Sequence, residues 1–178
     1  MTDERPTTFD HLRSRKKATR RHVDLCLDSE VADAHQEALE RVRGAESDTG
    51  SRKELTVAKK ALDEADVALR EASQRFVFQS ISRRQYQDLV DEHPPTKDQV
   101  AEGEESGNPP DFDVEGFAPA LIAACVVDPP MTPDEANELW NSPEWSTAES
   151  MLLFITANGA NSQSRVVDLG KGSGSTSD

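Results

Sequence analysis

The residue types in this chain most capable of chemistry are histidines and cysteines, and neither is spaced for it. The four histidines form no local pair with metal-ligand spacing: they are His11, His22, His35 and His93. Neither Cys26 nor Cys125 belongs to a C-x-x-C pair. We therefore predict no metal and no cofactor, and we interpret both cysteines as reduced, buried small hydrophobes.

Two short stretches imitate ligand-binding motifs without completing them. Residues 111–116 begin like a calcium loop, but Ile122 stands where that loop needs a glutamate. Gly170-Lys171 resembles the end of a phosphate loop, but Gly172 replaces the required serine or threonine. No G-x-S-x-G nucleophile elbow occurs. The sequence therefore predicts a protein that binds a partner, and no enzyme.

The densest apolar stretch, residues 117–155, contains both tryptophans and clear helix signals. Thr132 is a typical N-cap followed by proline and two acids, and Ser146 with Glu149 forms a capping box. These signals, with the prolines between them, predict helices at about 118–126, 133–141 and 144–157. We expect a small three-helix module with its own core.

The first half of the chain alternates strand and helix patterns. Residues 21–28 place Val23, Leu25 and Leu27 on one face, and residues 75–81 are rich in aromatic and β-branched side chains. Between these two predicted strands lie two predicted helices. The second has leucine or phenylalanine every seven residues, with alanine three after each leucine; the positions are Leu55, Ala58, Leu62, Ala65, Leu69, Ala72 and Phe76. This face favours pairing with the preceding helix as a hairpin, and an intermolecular coiled coil is the alternative.

The predicted fold class is mostly α, with a helical hairpin flanked by a minimal two-stranded sheet. Between Asp98 and Glu115 there are seven acids and no base, which predicts an acidic linker over residues 96–115. The expected organisation is a basic flexible arm (residues 1–21), a first domain (22–95), the linker (96–115), the small helical module (116–162) and a flexible tail (163–178).

Net charge sets limits on partners and location. The chain carries 34 acidic and 20 basic residues, giving a formal net charge of −14. Such an excess of acidic residues favours solubility and disfavours binding to nucleic acid. A ribbon-helix-helix DNA-binding protein remains an alternative, because a basic arm, a strand and a capped helix follow one another in residues 13–43. No secretory segment follows Met1 and no apolar run is long enough to span a bilayer, so we expect a cytoplasmic protein.

Several segments resemble tail assembly chaperones of long-tailed bacteriophages, especially those infecting actinobacteria. The similarity covers about residues 75–171, and the segments that carry it are Asp88-Leu-Val-Asp-Glu-His-Pro-Pro95, Phe117-Ala-Pro-Ala-Leu-Ile-Ala-Ala-Cys-Val-Val-Asp-Pro-Pro130, Met131-Thr-Pro-Asp-Glu-Ala-Asn-Glu-Leu-Trp140 and Ser142-Pro-Glu-Trp145. The resemblance implies a protein of the host cytoplasm that binds the tape measure protein, keeps it soluble and assists polymerisation of tail tube subunits. It also implies a short product of a frameshifted gene, since Leu169-Gly170-Lys171 can be encoded by a slippery stretch. A structural virion adaptor is the alternative.

A chaperone for amphipathic helices needs an apolar groove and a charged exterior. The candidate groove residues are Leu121, Ile122, Leu139, Trp140, Trp145, Leu152 and Phe154, with Val126 and Leu153 as further candidates. The alternative for each of them is a place in the module's own core. Trp140 and Trp145 are the expected exposed members, and Trp145→Ala is expected to weaken partner binding more than folding.

Overall fold

The structure, a computed structural model, describes residues 9–47 and 51–162 of the 178-residue chain. Within these residues the elements are α1 Phe9–Arg15, β1 Arg20–Cys26, α2 Ser29–Ser47, α3 Arg52–Glu71, β2 Ser73–Gln79, α4 Arg83–Glu92, α5 Lys97–Ser106, α6 Val114–Cys125, β3 Val126–Asp128, α7 Pro133–Asn141 and α8 Thr147–Ser162. The fold is mostly helical, as predicted. The predicted tail and the slippery stretch at residues 169–171 lie outside the described residues.

The sheet is antiparallel in the order β1-β2-β3. Val23 pairs with Phe76 and Asp24 with Arg75, so the two predicted strands do pair with each other. On the outer face, Arg75 donates two hydrogen bonds to the Asp24 carboxylate at 2.7 and 2.9 Å. These bonds hold the pKa of the Asp24 carboxyl below its usual value. The prediction of only two strands is wrong, because β3 also pairs with β2. β3 is only three residues long, Val-Val-Asp, and follows directly on an apolar helix, so it is too short to show the alternation that marks a strand.

Helices α2 and α3 form the predicted antiparallel hairpin. Ala38 and Val42 of α2 are buried, whereas Leu55, Leu62 and Leu69 of α3 are half-buried. Two polar contacts join the helices: His35 Nε2 lies 2.7 Å from Asp66 Oδ1, and Lys59 Nζ lies 3.2 Å from Glu46 Oε1. Phe76, which continues the seven-residue pattern, belongs to β2 and to the main core.

The predictions for the two polar segments need correction. Residues 9–15 of the predicted flexible arm form α1, and residues 97–106 of the predicted linker form α5. Thr96 and Gln99 make a capping box at the start of α5, and Gln99 Nε2 donates to Asp113 Oδ1 at 2.9 Å. Local capping and a tertiary hydrogen bond therefore order a stretch that its acid content alone marks as unfolded.

One cluster of buried side chains unites the predicted first domain and the predicted helical module. Leu25, Phe76 and Phe78 of the sheet belong to the same cluster as Phe117 and Leu121 of α6. Helix α8 packs on β1, β2 and α6, so the sheet is covered on one face by the helices of the second half. The module is therefore not a separate body with its own core.

Two helical glycines have opposite surroundings, which gives a paired prediction. A Cβ at Gly103 in α5 would lie 2.5 Å from the Pro109 Cα, whereas a Cβ at Gly44 in α2 would have no neighbour within 4 Å. Gly103→Ala should lower the free energy of unfolding by about 1–3 kcal/mol through overpacking. Gly44→Ala should raise it by about 0.5–1 kcal/mol through helix propensity. Urea denaturation of both variants measures the sign of each change in the free energy of unfolding. A stabilising Gly103→Ala would show that α5 does not pack against Pro109.

Candidate partner-binding surface

Four of the seven predicted groove residues are buried in the core. Leu121 and Ile122 of α6 are fully inaccessible, and Leu139 of α7 and Phe154 of α8 are buried at 7% and 8% exposure. Their side chains contribute to the cluster that joins the helices to the sheet. The prediction that these four line an open groove is therefore wrong, because they are the residues that attach the helices to each other.

Trp140 is half-buried and held by two contacts. Its Nε1 donates to Glu115 Oε2 at 2.9 Å, and its ring meets Phe154 edge-on at a centroid distance of 6.4 Å. An indole with its polar group and its ring edge both engaged is anchored in the fold. Trp140 thus fixes α7 against α6 and α8 more than it presents a free surface.

Trp145 is also half-buried, but it lines an open cleft. Its ring meets Phe76 edge-on at 6.1 Å. The cleft lies between the β1–α2 junction and the turn before α8, and its apolar lining includes Leu27, Ala32, Pro143 and Trp145. Leu27, directly after β1, is 59% exposed. Trp145 therefore joins the core to an accessible cleft whose lining is part apolar and part polar.

Helix α8 presents apolar residues to solvent as well as to the core. Leu153, Phe154 and Ala157 are buried, whereas Leu152 and Ile155 are 41% and 56% exposed. Ala148 is exposed too, so the exposed residues follow a 4-3 spacing along one stripe of the helix. An apolar residue pattern on all sides is typical of a helix that is surrounded by protein. One side of α8 is therefore exposed to solvent although its apolar residues favour contact with protein.

The cleft and the stripe are neighbours, because Leu152 lies one helical turn beyond Ala148 and Glu149. We call them together the α8 surface, defined by Leu27, Trp145, Ala148, Leu152 and Ile155. Trp145 and Leu152 are the two predicted groove residues that belong to it.

Carboxylates surround the cleft end of the α8 surface. Asp33 and Glu144 are exposed in its lining, together with half-buried Glu149. Glu149 has a structural role: its carboxylate accepts hydrogen bonds from the backbone N and Oγ of Ser146, at 2.8 and 2.6 Å. Asp33 and Glu144 remain to set the local charge. A cleft with a mixed lining and two free carboxylates suits a partner whose apolar residues are accompanied by lysine or arginine.

Sequence reasoning missed three members of this surface, Leu27, Ala148 and Ile155. Leu27 continues the alternation of Val23 and Leu25, but β1 ends at Cys26, so Leu27 leaves the inner face. Ile155 follows Leu152 by three residues and shares its side of the helix. Helical periodicity applied to the individual positions of α8 would have separated Leu152 and Ile155 from Leu153 and Phe154.

The titratable groups with shifted pKa values lie away from this surface. Burial raises the pKa of the Cys125 thiol, which is 1% exposed, and burial also raises the pKa of Tyr86. Backbone and side-chain hydrogen bonds from Thr132 lower the pKa of Glu135. Each of these shifts has a structural cause within the core or a helix cap. In residues 9–47 and 51–162, no cluster of three or more histidine, cysteine or acidic residues is arranged to hold a metal ion.

No helix within the described part of the chain has the length and apolar character needed to cross a bilayer. Comparison with protein-family models, with curated proteins and with solved structures finds no match. Function must therefore be inferred from the residues and their geometry.

Proposed function

We propose that this protein is a phage tail assembly chaperone whose α8 surface binds amphipathic helices of the tape measure protein. The exposed stripe of α8 is the observation that carries the proposal, since Leu152 and Ile155 stand open on a helix whose other side lies in the core. The similarity of residues 75–171 to tail assembly chaperones supplies the identity of the client.

The physical basis is the burial of one apolar stripe against another. A client helix lying along α8 would cover Leu152 and Ile155, and its next apolar residues would reach the cleft of Leu27 and Trp145. Burying a leucine or isoleucine side chain contributes about 1.5–3 kcal/mol relative to leaving it exposed. The parts of Leu152 and Ile155 that remain exposed, with the tryptophan edge, supply the apolar share of the binding free energy, and the remaining contacts of the client must offset the entropy lost on association.

The charge of the chain serves the same role. A net charge of −14 keeps a complex with an apolar client in solution through mutual repulsion between complexes. The acidic rim at Asp33 and Glu144 favours client segments with basic flanks.

Co-expression with the phage's tape measure protein tests the proposal. We expect the tape measure protein to be insoluble alone and soluble with this chain. We also expect mass spectrometry of purified virions to lack the chain, because a chaperone leaves the finished particle. A chain present in virions at stoichiometric amounts would instead identify a structural adaptor, and an unchanged solubility of the client would contradict chaperone activity.

A further inference from the structure

Helix α3 carries a second repeat on the side away from α2. Its members recur with the spacing 4-3-4-3-4, and all are exposed: Lys53, Val57, Lys60, Glu64, Val67 and Glu71. Two of them, Val57 and Val67, are 63% and 49% exposed, and they are among the large hydrophobic side chains most open to solvent. We call this set the outer stripe.

The outer stripe has the geometry of a helix-pairing seam. A 4-3 alternation keeps residues on one side of a helix, and it is the spacing by which coiled-coil helices meet. The inner stripe of Leu55, Leu62 and Leu69 faces α2 and completes the hairpin. At 3.6 residues per turn most of the outer stripe lies on the opposite side of α3. Lys53 and Val57 also border an open groove with Arg41 and Ala45 of α2, but their side chains stay exposed.

The order of charges along the outer stripe is self-complementary. Read from the amino end it is Lys-Val-Lys, and after Leu62 it continues Glu-Val-Glu. The positions are symmetric about Leu62: Lys53 and Glu71 are each nine residues away, Val57 and Val67 five, and Lys60 and Glu64 two. An antiparallel copy centred on Leu62 therefore places every lysine opposite a glutamate and every valine opposite a valine.

We propose that two copies of this protein associate through α3 in antiparallel orientation. Lys53 pairs with Glu71 of the second copy, Lys60 pairs with Glu64, and Val57 packs on Val67. Each pairing occurs twice around the two-fold axis, and the two hairpins together form a four-helix assembly.

The distribution of charge along the whole of α3 favours an antiparallel second copy as the partner of the outer stripe. Its half before Leu62 has four basic residues and one acid, and its half after Leu62 has four acids and one base. A parallel copy would set like charges side by side, whereas an antiparallel copy opposes them. Lys60 Nζ already lies 3.6 Å from Glu64 Oε1 of the same helix, so this pair joins a four-charge cluster in the dimer. Because exposed ion pairs are screened by salt, the association should weaken as ionic strength rises.

Charge reversal tests the pairing in the full-length protein. Sedimentation equilibrium at low salt should give a dimer for the native chain. Lys53→Glu/Lys60→Glu should weaken association by about tenfold or more, and Glu64→Lys/Glu71→Lys should do the same, because each sets like charges opposite each other. A mixture of the two variants should recover a heterodimer, since every opposed pair is then again of opposite sign. Circular dichroism checks that each variant keeps its helix content.

Three results would overturn the proposal. The first is a native chain that stays monomeric at low salt and high concentration. The second is that the two charge-reversal variants are folded and each dimerises as well as the native chain. The third is a mixture of those variants that fails to associate although each is folded.

Discussion

Phe117→Ala is expected to lower the free energy of unfolding by about 3–5 kcal/mol, the usual effect of deleting a large buried aromatic ring. Phe117 is fully inaccessible and lies at the centre of an aromatic cluster. Its ring lies 4.0 Å from Phe112, 5.6 Å from Tyr86 and 6.1 Å from Phe154, measured between centroids. These neighbours come from the predicted first domain, the predicted linker and the predicted helical module.

The same substitution tests whether the chain unfolds as one unit. Urea denaturation followed by tryptophan fluorescence reports on α7 and the turn before α8, and circular dichroism reports on all helices. Because the core is shared, Phe117→Ala should shift both transitions by the same amount. Val127→Ala, at an exposed position of β3 with 41% exposure, should change stability by less than about 0.5 kcal/mol. A native chain with two separated transitions would contradict the single core.

The sequence predicted most of the elements because they carry strong local signals. Capping residues placed the starts of α7 and α8 at Thr132 and Ser146. Alternation placed β1, and aromatic and β-branched side chains placed β2. Prediction from the sequence failed where tertiary contacts override local composition. The acids of α5 indicate a linker, yet a buried Gly103 and the Gln99–Asp113 hydrogen bond hold the helix in place.

The candidate site was predicted only in part for a related reason. The apolar composition of residues 117–155 shows that a core exists there, but it does not show which side of each helix faces inward. Leu121 and Leu152 look alike in sequence, and the packing of α6 and α8 on the sheet buries the first and exposes the second. Burial at that level depends on contacts between distant segments, such as Phe76 with Trp145.

Leu152→Gln/Ile155→Gln is the second variant with a large expected effect, and the effect is on binding. About half of each side chain is exposed, so the fold should lose no more than about 1 kcal/mol for each, and glutamine keeps a high helix propensity. If the client covers the exposed parts of both residues, binding should lose about 1.5–3 kcal/mol, or about 10- to 100-fold in Kd. Trp145→Ala is a less selective probe, because the ring edge also supports Phe76 in the core.

A matched change on another helix provides the control. Val57→Gln/Val67→Gln also replaces two exposed branched side chains, but it does so on α3, away from the α8 surface. This control should leave the affinity for the client unchanged when a monovalent client fragment is used. Association between copies then adds no avidity to either measurement.

The central claim is that the α8 surface binds an amphipathic helix of a client, and one titration tests it most directly. Isothermal calorimetry would measure the Kd of a helical tape measure fragment for the native chain, for Leu152→Gln/Ile155→Gln and for the α3 control. We predict about 10- to 100-fold weaker binding for the α8 variant alone, with native circular dichroism in all three proteins. Equal affinities of the native chain and the α8 variant would contradict the claim, and so would a native chain that does not bind the fragment.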